Sequence, residues 1–426
     1  MATTEQLHGQ WWVPDANGPS RTVPGVLTLS DSTEPRLDLH GDLYDIHELG
    51  FRTVHGNSGG RAVSLFETYI VSEKGGFTNG QKHTDQTIKL SGLVIGDSHV
   101  SDADESVFTE SVIELDYLTY WARGVKIAVS HPDKSNEPYI FTVPVRAPLS
   151  GKYGNVEVTV STSSHYSSGG QFSRGGMSIP AHFRTAFRVT SAKPLSINAH
   201  IEISRRLADL ITLAMHRPAH VRRIKFSRDS TAQRQFDWWS SDLISENTDL
   251  DDPGATLINF TLDDVDLPTL LDGWHELQQK ANYGTLSVIA LQRESSMYYE
   301  TKLLGLCGAI EALHKGFHPQ SLDYRERCAD LATIPPPAAV RQIIPDIDVW
   351  AKHIKAARNH LAHGDEPNKR KMSETVWYNL YEPGVALLVL VAMTKLGVPE
   401  QTQLKSLSQG ALKRAVLGAR ASRPGP

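Results

Sequence analysis

The sequence predicts an α+β multidomain protein, with a β-rich antiparallel domain first and an all-α helical bundle after it. Three observations carry that prediction. Up to about Val189, short runs alternate apolar and polar residues between clusters of Gly, Ser and Asn. Beyond about Leu267, apolar residues recur at helical spacing and turn clusters thin out. Between the two, Phe236–Gln279 contains eleven Asp and Glu and no Lys or Arg, a composition shift that marks a hinge. The expected domains are therefore a β-rich domain over 1–235, an acidic linker over 236–266, a helical domain over 267–400, and a basic, partly disordered tail over 401–426.

In the first domain, GVLTLS (Gly25 to Ser30), RLDLHG (Arg36 to Gly41), AVSLFETYIV (Ala62 to Val71) and TIKLSGLVIG (Thr87 to Gly96) alternate as half-buried strands do. VKIAVS, YIFTVPV, VEVTVSTS and HFRTAFRVTS continue the series, and HGNSGGR, EKGGFTNGQK and SSGGQFSRGG read as turns. Ser111 to Gly124 reads as one helix covering a sheet face. Strands in quick succession without regular helices between them imply antiparallel sheets, in a sandwich or barrel-like arrangement. From Lys193 to His216 the period turns helical, with Ile203, Leu207, Leu210, Ile211 and Ala214 on one stripe. The run after it carries Arg217, Arg222, Arg223, Lys225 and Arg228 without an acid. It reads either as an RNA-backbone patch or as the intrachain partner of the acidic segment that follows.

The second domain reads as helices over Leu270–Ala281 and about Leu286–Lys315, then one over Ser321–Ala332 opened by a Ser321 cap. Pro335–Pro337 breaks the chain, and a last helix from Ser373 is interrupted at Pro383-Gly384. Such a succession implies an up-and-down bundle.

Overall charge is −5, from 43 Lys and Arg against 48 Asp and Glu, so any nucleic-acid site must be local. Cys307 and Cys328 are the only cysteines, too few for a disulfide framework or a zinc cluster. The opening MATTEQLHGQWW lacks a basic stretch followed by an apolar core, and the longest apolar run, Val385–Met393, falls short of the ~20 residues a span requires. A cytoplasmic protein without membrane partners is expected.

The stretch with chemistry in it is Trp350 to Gly364, WAKHIKAARNHLAHG. Trp350, Ile354, Ala357 and Leu361 form one helical stripe, and Lys352, Lys355, Asn359 and His363 fall on the opposite side. From Lys352 to His363 there are two Lys, one Arg, three His and no acid. Gly364 suits a helix end, so His363 sits in the last turn, where exposed carbonyls favour the imidazolium. A His of near-neutral pKa can move protons and an Arg fork can hold phosphate oxygens, which is what metal-free RNA cleavage requires. Asn359, one turn before His363, can fix its tautomer. The competing reading is a solvated basic face. A metal cluster of His353, His360, His363, Asp365 and Glu366 is disfavoured by the adjacent Arg358. His275-Glu276 does not begin a zinc-protease motif because position 279 is Gln, and Cys307 reads as core.

Arg358, four intervening residues and His363 resemble the Arg-x4-6-His signature of HEPN ribonucleases. The opening GQWWVP, then GVLTLS and LDLHGDL, resembles the N-terminal domain of ApeA-type anti-phage defence proteins, as do VIGDSHV and the segment ending W-A-R-G. The resemblance implies a HEPN-like bundle and a toxin-like endoribonuclease that halts growth of infected cells (abortive infection) without metal or other cofactor. It implies Arg358 on the phosphorane, His363 transferring protons and Asn359 orienting His363. Lys352, Lys355, His360, Lys369 and Arg370 would line the RNA. Glu311 reads either as a polar residue behind Arg358 or, as is commoner for a helix glutamate, as an exposed side chain. It further implies a homodimer or higher homo-oligomer through the bundle, since the two motif residues diverge on one helix. A phage-derived trigger is expected at the N-terminal domain, whose ligand the resemblance does not name. The alternative is a catalytically silent HEPN-like module that binds RNA or protein beside a ligand-sensing β domain.

Overall fold

The structure, a computed structural model, describes residues 4–15, 19, 21–30, 33–43, 52–78, 81–123, 128–130, 140–142, 145–166, 171–173, 176–178, 181–229, 235–240, 243, 258–293, 297–318, 320–363 and 374–421. The chain divides into two units, each assembled from separated segments. One comprises Met1–Asp116, Ala186–Arg206 and His220–Leu250, the other Tyr117–Thr185, Leu207–Ala219 and Asp251–Pro426.

The first unit is antiparallel sheet. Its strands begin with β1 (Thr4–Trp12), β2 (Val23–Ser30), β3 (Arg36–Leu39), β4 (Arg52–Ser58), β5 (Arg61–Thr78), β6 (Gln81–Lys89), β7 (Gly92–Gly96) and β8 (Phe108–Leu115). Pairings run β5 to β4 to β1 to β2 to β3 to β6 and back to β5, so six strands close a ring. Closure depends on β5, which pairs with β4 through its first half and with β6 through its second. Its Glu67 has a φ of 51°, and register shifts on both sides bend the strand there. Leu7, Trp11, Leu27, Leu29, Leu37, Val54, Leu65, Ile88 and Leu93 are buried together as the core, one from every other position as the pleat dictates. Gly56 lies against the Trp11 ring, where a Cβ would collide.

Several sequence expectations change here. Lys74–Thr78, read as turn, continues β5. Thr87–Gly96 is two strands split at Leu90-Ser91. Ser111–Leu115, read as helix, is the end of β8, and only α1 (Leu118–Ala122) is helical. An alternating burial pattern along Phe108–Leu115 outweighed local helix propensity. Parts of VKIAVS, YIFTVPV and SSGGQFSRGG lie outside the described residues.

The chain continues through β9 (Ala128–Ser130), β10 (Ile140–Thr142), β11 (Leu149–Tyr153), β12 (Val156–Tyr166), β13 (Gln171–Ser173), β14 (Gly176–Ser178), β15 (Ala181–Leu195), α2 (Ile197–Met215), β16 (Val221–Ser227) and β17 (Phe236–Ser240). In the first unit β8 pairs with β15 and β16, and β17 lies between β16 and β7. Thus Phe236–Ser240, expected within the acidic linker, is an interior strand. Gly92 gives the Trp238 ring its place. Arg222, Arg223 and Lys225 of the basic run lie on β16 and meet acids of the same unit: Arg222 pairs with Asp116 and Arg223 with Asp237 at 2.8 Å.

The helical part of the second unit contains α3 (Leu267–Arg293), α4 (Tyr299–Phe317), α5 (Tyr324–Leu331), α6 (Pro337–Ile343), α7 (Ile347–His363), α8 (Glu374–Lys395), α9 (Glu400–Ser408) and α10 (Lys413–Ala421). The expected break near Ala281 is a kink inside α3, with φ −138° and ψ 44°, and the helix expected over Leu286–Lys315 is divided between α3 and α4. Asp323, not Ser321, caps α5, in a capping box with Glu326. α8 passes through Pro383 unbroken; it is apolar enough to qualify as a membrane span, but 78% of that window is buried within the protein. The expected linker contributes buried Phe260, Leu262 and Val265, and the basic tail contributes α9 and α10 with buried Leu407, Leu412 and Ala415, while its last residues, 422–426, lie outside the described residues. Small apolar residues at helical spacing close the core there despite the basic composition.

Candidate active site

The motif helix forms because one stripe of α7 has a core to enter. Trp350, Ala351, Ile354 and Ala357 are buried, and the Trp350 indole N–H donates to the Leu380 carbonyl at 3.3 Å. Asp346 starts the helix by accepting the Val349 N–H at 3.0 Å. Burying that stripe leaves Lys352 and His353 exposed and Asn359 half-buried.

Arg358 stands at the edge of the buried stripe. Its Nη2 lies 2.8 Å from Glu311 Oε1 of α4, and each side chain keeps 34% of its exposure. The guanidinium also sits over the Tyr324 ring of α5, 5.3 Å from its centroid. An ion pair on one side and a ring face on the other restrict the fork's orientation, while donors remain for a phosphate. One turn earlier, Lys355 Nζ meets Asp323 Oδ2 at 2.7 Å. Lys355, foremost, and the Arg325 backbone N–H hold the Asp323 carboxyl below the usual carboxylate range. Asp323 thereby caps α5 and tethers it to α7.

The Tyr324 hydroxyl is buried beside Cys307 and Cys328. Burial pushes the two thiols up to about 11 and about 12 and raises the phenol, so all three stay neutral at physiological pH and Tyr324 serves through its ring. His360 lies parallel to Trp377 of α8, at 6.2 Å between centroids and 8° between planes.

The fold therefore brings Arg358, Glu311 and Lys355 into one neighbourhood. His363 is the last residue of α7, and its side chain lies outside the described residues, as do Gly364, Asp365, Glu366, Lys369 and Arg370. Positions 358 and 363 are about 140° apart on a helix of 3.6 residues per turn. Tyr324 and Asp323 were not singled out from sequence. Both lie more than 30 positions from Arg358, and no local pattern links residues on separate helices.

A β-rich unit followed by a helical bundle with Arg-x4-His at the end of a basic helix has the layout of a defence protein bearing a HEPN domain. Residues 6–274 match the family described as ApeA N-terminal domain 1, and residues 270–402 match Apea-like HEPN. The chain belongs to the ApeA family and carries its C-terminal HEPN domain. Among curated proteins and among solved structures, nothing matches it. HEPN domains are generally ribonucleases, and the two matches together place the chain among nuclease-type anti-phage proteins.

Proposed function

We propose that this protein is an endoribonuclease effector of abortive infection and cuts RNA without a metal through Arg358 and His363. The observation that supports this reading most is Arg358 itself: held between Glu311 and Tyr324, yet one-third exposed on the helix that the HEPN family covers. His363 takes the proton from the 2′-hydroxyl and returns one to the departing 5′-oxygen, Asn359 orients it, and Arg358 neutralises the phosphorane. Lys352, Lys355, His360, Lys369 and Arg370 follow the RNA backbone. Because the Arg358 and His363 positions diverge, two bundles meet about a two-fold axis and share their pairs across one basic cleft. The β-rich unit receives a phage-derived trigger, in the cytoplasm.

The deciding experiment incubates the purified chain with total RNA and EDTA and maps the ends. Use of the 2′-hydroxyl leaves a 2′,3′-cyclic phosphate and a 5′-hydroxyl, and a 2′-deoxy residue at the scissile position resists. Loss of activity in EDTA, or cutting at that deoxy residue, overturns the mechanism. No cleavage by the intact chain under any trigger leaves the silent binding module. For the shared site, light scattering across a dilution series should show specific activity falling with dimer content. A monomer of constant specific activity overturns it.

A further inference from the structure

One carboxylate in the bundle has no use in the site above. Glu382 of α8 is half-buried, and among the described residues it makes no hydrogen bond or ion pair. Burial raises its pKa, and Arg414 and Lys302 pull the other way from beyond ion-pair distance. An acid taken partly out of water without a partner costs stability that an ordinary core position would not retain.

Its surroundings are aromatic. The Tyr299 ring of α4 meets Tyr378 edge-on, with centroids 5.8 Å apart at 80°, and Tyr381 at 6.0 Å and 71°. Burial first, and then the charge of Glu382, raise the Tyr378 and Tyr381 phenols. Tyr378 and Tyr299 are half-buried, so their rings border solvent. Lys302 Nζ lies over the Tyr299 ring at 5.5 Å.

A carboxylate among tyrosines could hold a cation. Here two cations already flank it, so an incoming ammonium or guanidinium meets like charge. What suits carboxylate, rings and flanking cations together is a flat ring with two adjacent N–H donors and an attached phosphate. Guanine presents N1–H and N2–H side by side on its Watson–Crick edge. Adenine and cytosine each set a lone pair beside their donor there, and uracil flanks its single N–H with carbonyls.

We infer that Glu382, Tyr299, Tyr378 and Tyr381 form a guanine-reading subsite, with Lys302 and Arg414 supplying charge for the nucleotide's phosphate. The inference deepens the RNA-cutting reading by giving it a base preference. Unstacked bases of single-stranded RNA are recognised by such rings and edge contacts.

The test is calorimetric titration of the full chain with 5′-GMP, 5′-IMP and 5′-AMP, which cannot be cleaved. GMP should bind about tenfold more tightly than AMP, with IMP, lacking the N2 amino group, between them, as expected of a bidentate base contact. Glu382→Gln, which keeps shape and removes one acceptor, should erase the preference, and Tyr378→Ala should weaken all three nucleotides alike. Equal binding of GMP and AMP by the unaltered chain, no binding of any nucleotide at millimolar concentration, or tighter binding of arginine amide than of GMP overturns the subsite, and none of these needs a variant to fold. GMP selectivity in a chain that never cuts RNA sinks the ribonuclease reading alone. Cutting without GMP selectivity sinks the subsite alone.

Discussion

Strand β16 and the Lys352–His363 stretch of helix α7 are both basic and free of acids in sequence, and both find carboxylates in the fold, but of different kinds. At β16, Arg222 and the preceding His220 converge on Asp116, which is only 2% exposed. On α7, Arg358 and Lys355 meet Glu311 and Asp323, which are 34% and 48% exposed. A buried acceptor commits its cation, since removing the cation strands the carboxylate in the interior. An exposed acceptor competes with water and salt, and can release its cation to a phosphate. The basic run on the sheet is thus structural, and the one on the helix is where our proposal seats an anionic substrate.

Substitutions sharpen that contrast. Arg358→Ala and His363→Ala should each lower RNA cleavage by about 10²–10⁴-fold while the urea midpoint barely moves. His360→Ala should cost far less, because His360 rests against Trp377. Equal losses from His360 and His363 would instead favour a cluster of imidazoles at work.

On the sheet the effect should be on folding. Asp116→Ala, which leaves the donors of His220 and Arg222 without their acceptor, should destabilise by about 1–3 kcal/mol, against less than about 1 kcal/mol for Glu311→Gln, as read from urea unfolding. Similar costs for the two would break the comparison.

Acid titration should separate them as well. Burial alone would raise the Asp116 pKa, but His220 and Arg222 outweigh it and hold it below the ordinary carboxylate value. A depressed pKa contributes stability above the unfolded value, and this is lost as pH falls through the folded one. The unfolding midpoint should therefore drop below about pH 4, and Asp116→Asn should flatten that limb. The smallest effect belongs to Lys355→Ala: a change within about 0.5 kcal/mol in stability, and a several-fold weaker, less salt-dependent RNA affinity in filter binding.

Much of this could be read without the fold. Alternation in GVLTLS and RLDLHG, and the Trp350, Ile354, Ala357 stripe of α7, are local signals, because the core side of an element is written at its own period. By themselves they determine a strand-rich part, a helical part and a basic helix ending in Arg-x4-His. Where segments failed, the deciding contacts came from elsewhere in the chain. Ser111–Leu115 is a strand because β15 and β16 flank it, and Phe236–Ser240 because β16 and β7 do. The basic tail is helical because it completes a core. Likewise the tertiary structure decided which acid answers each cation, and between the two readings of Glu311 it chose the partner of Arg358. Glu311, Asp323 and Tyr324 reach α7 from α4 and α5, and burial of the partner, a property of three-dimensional packing, separates a fixed charge from an available one.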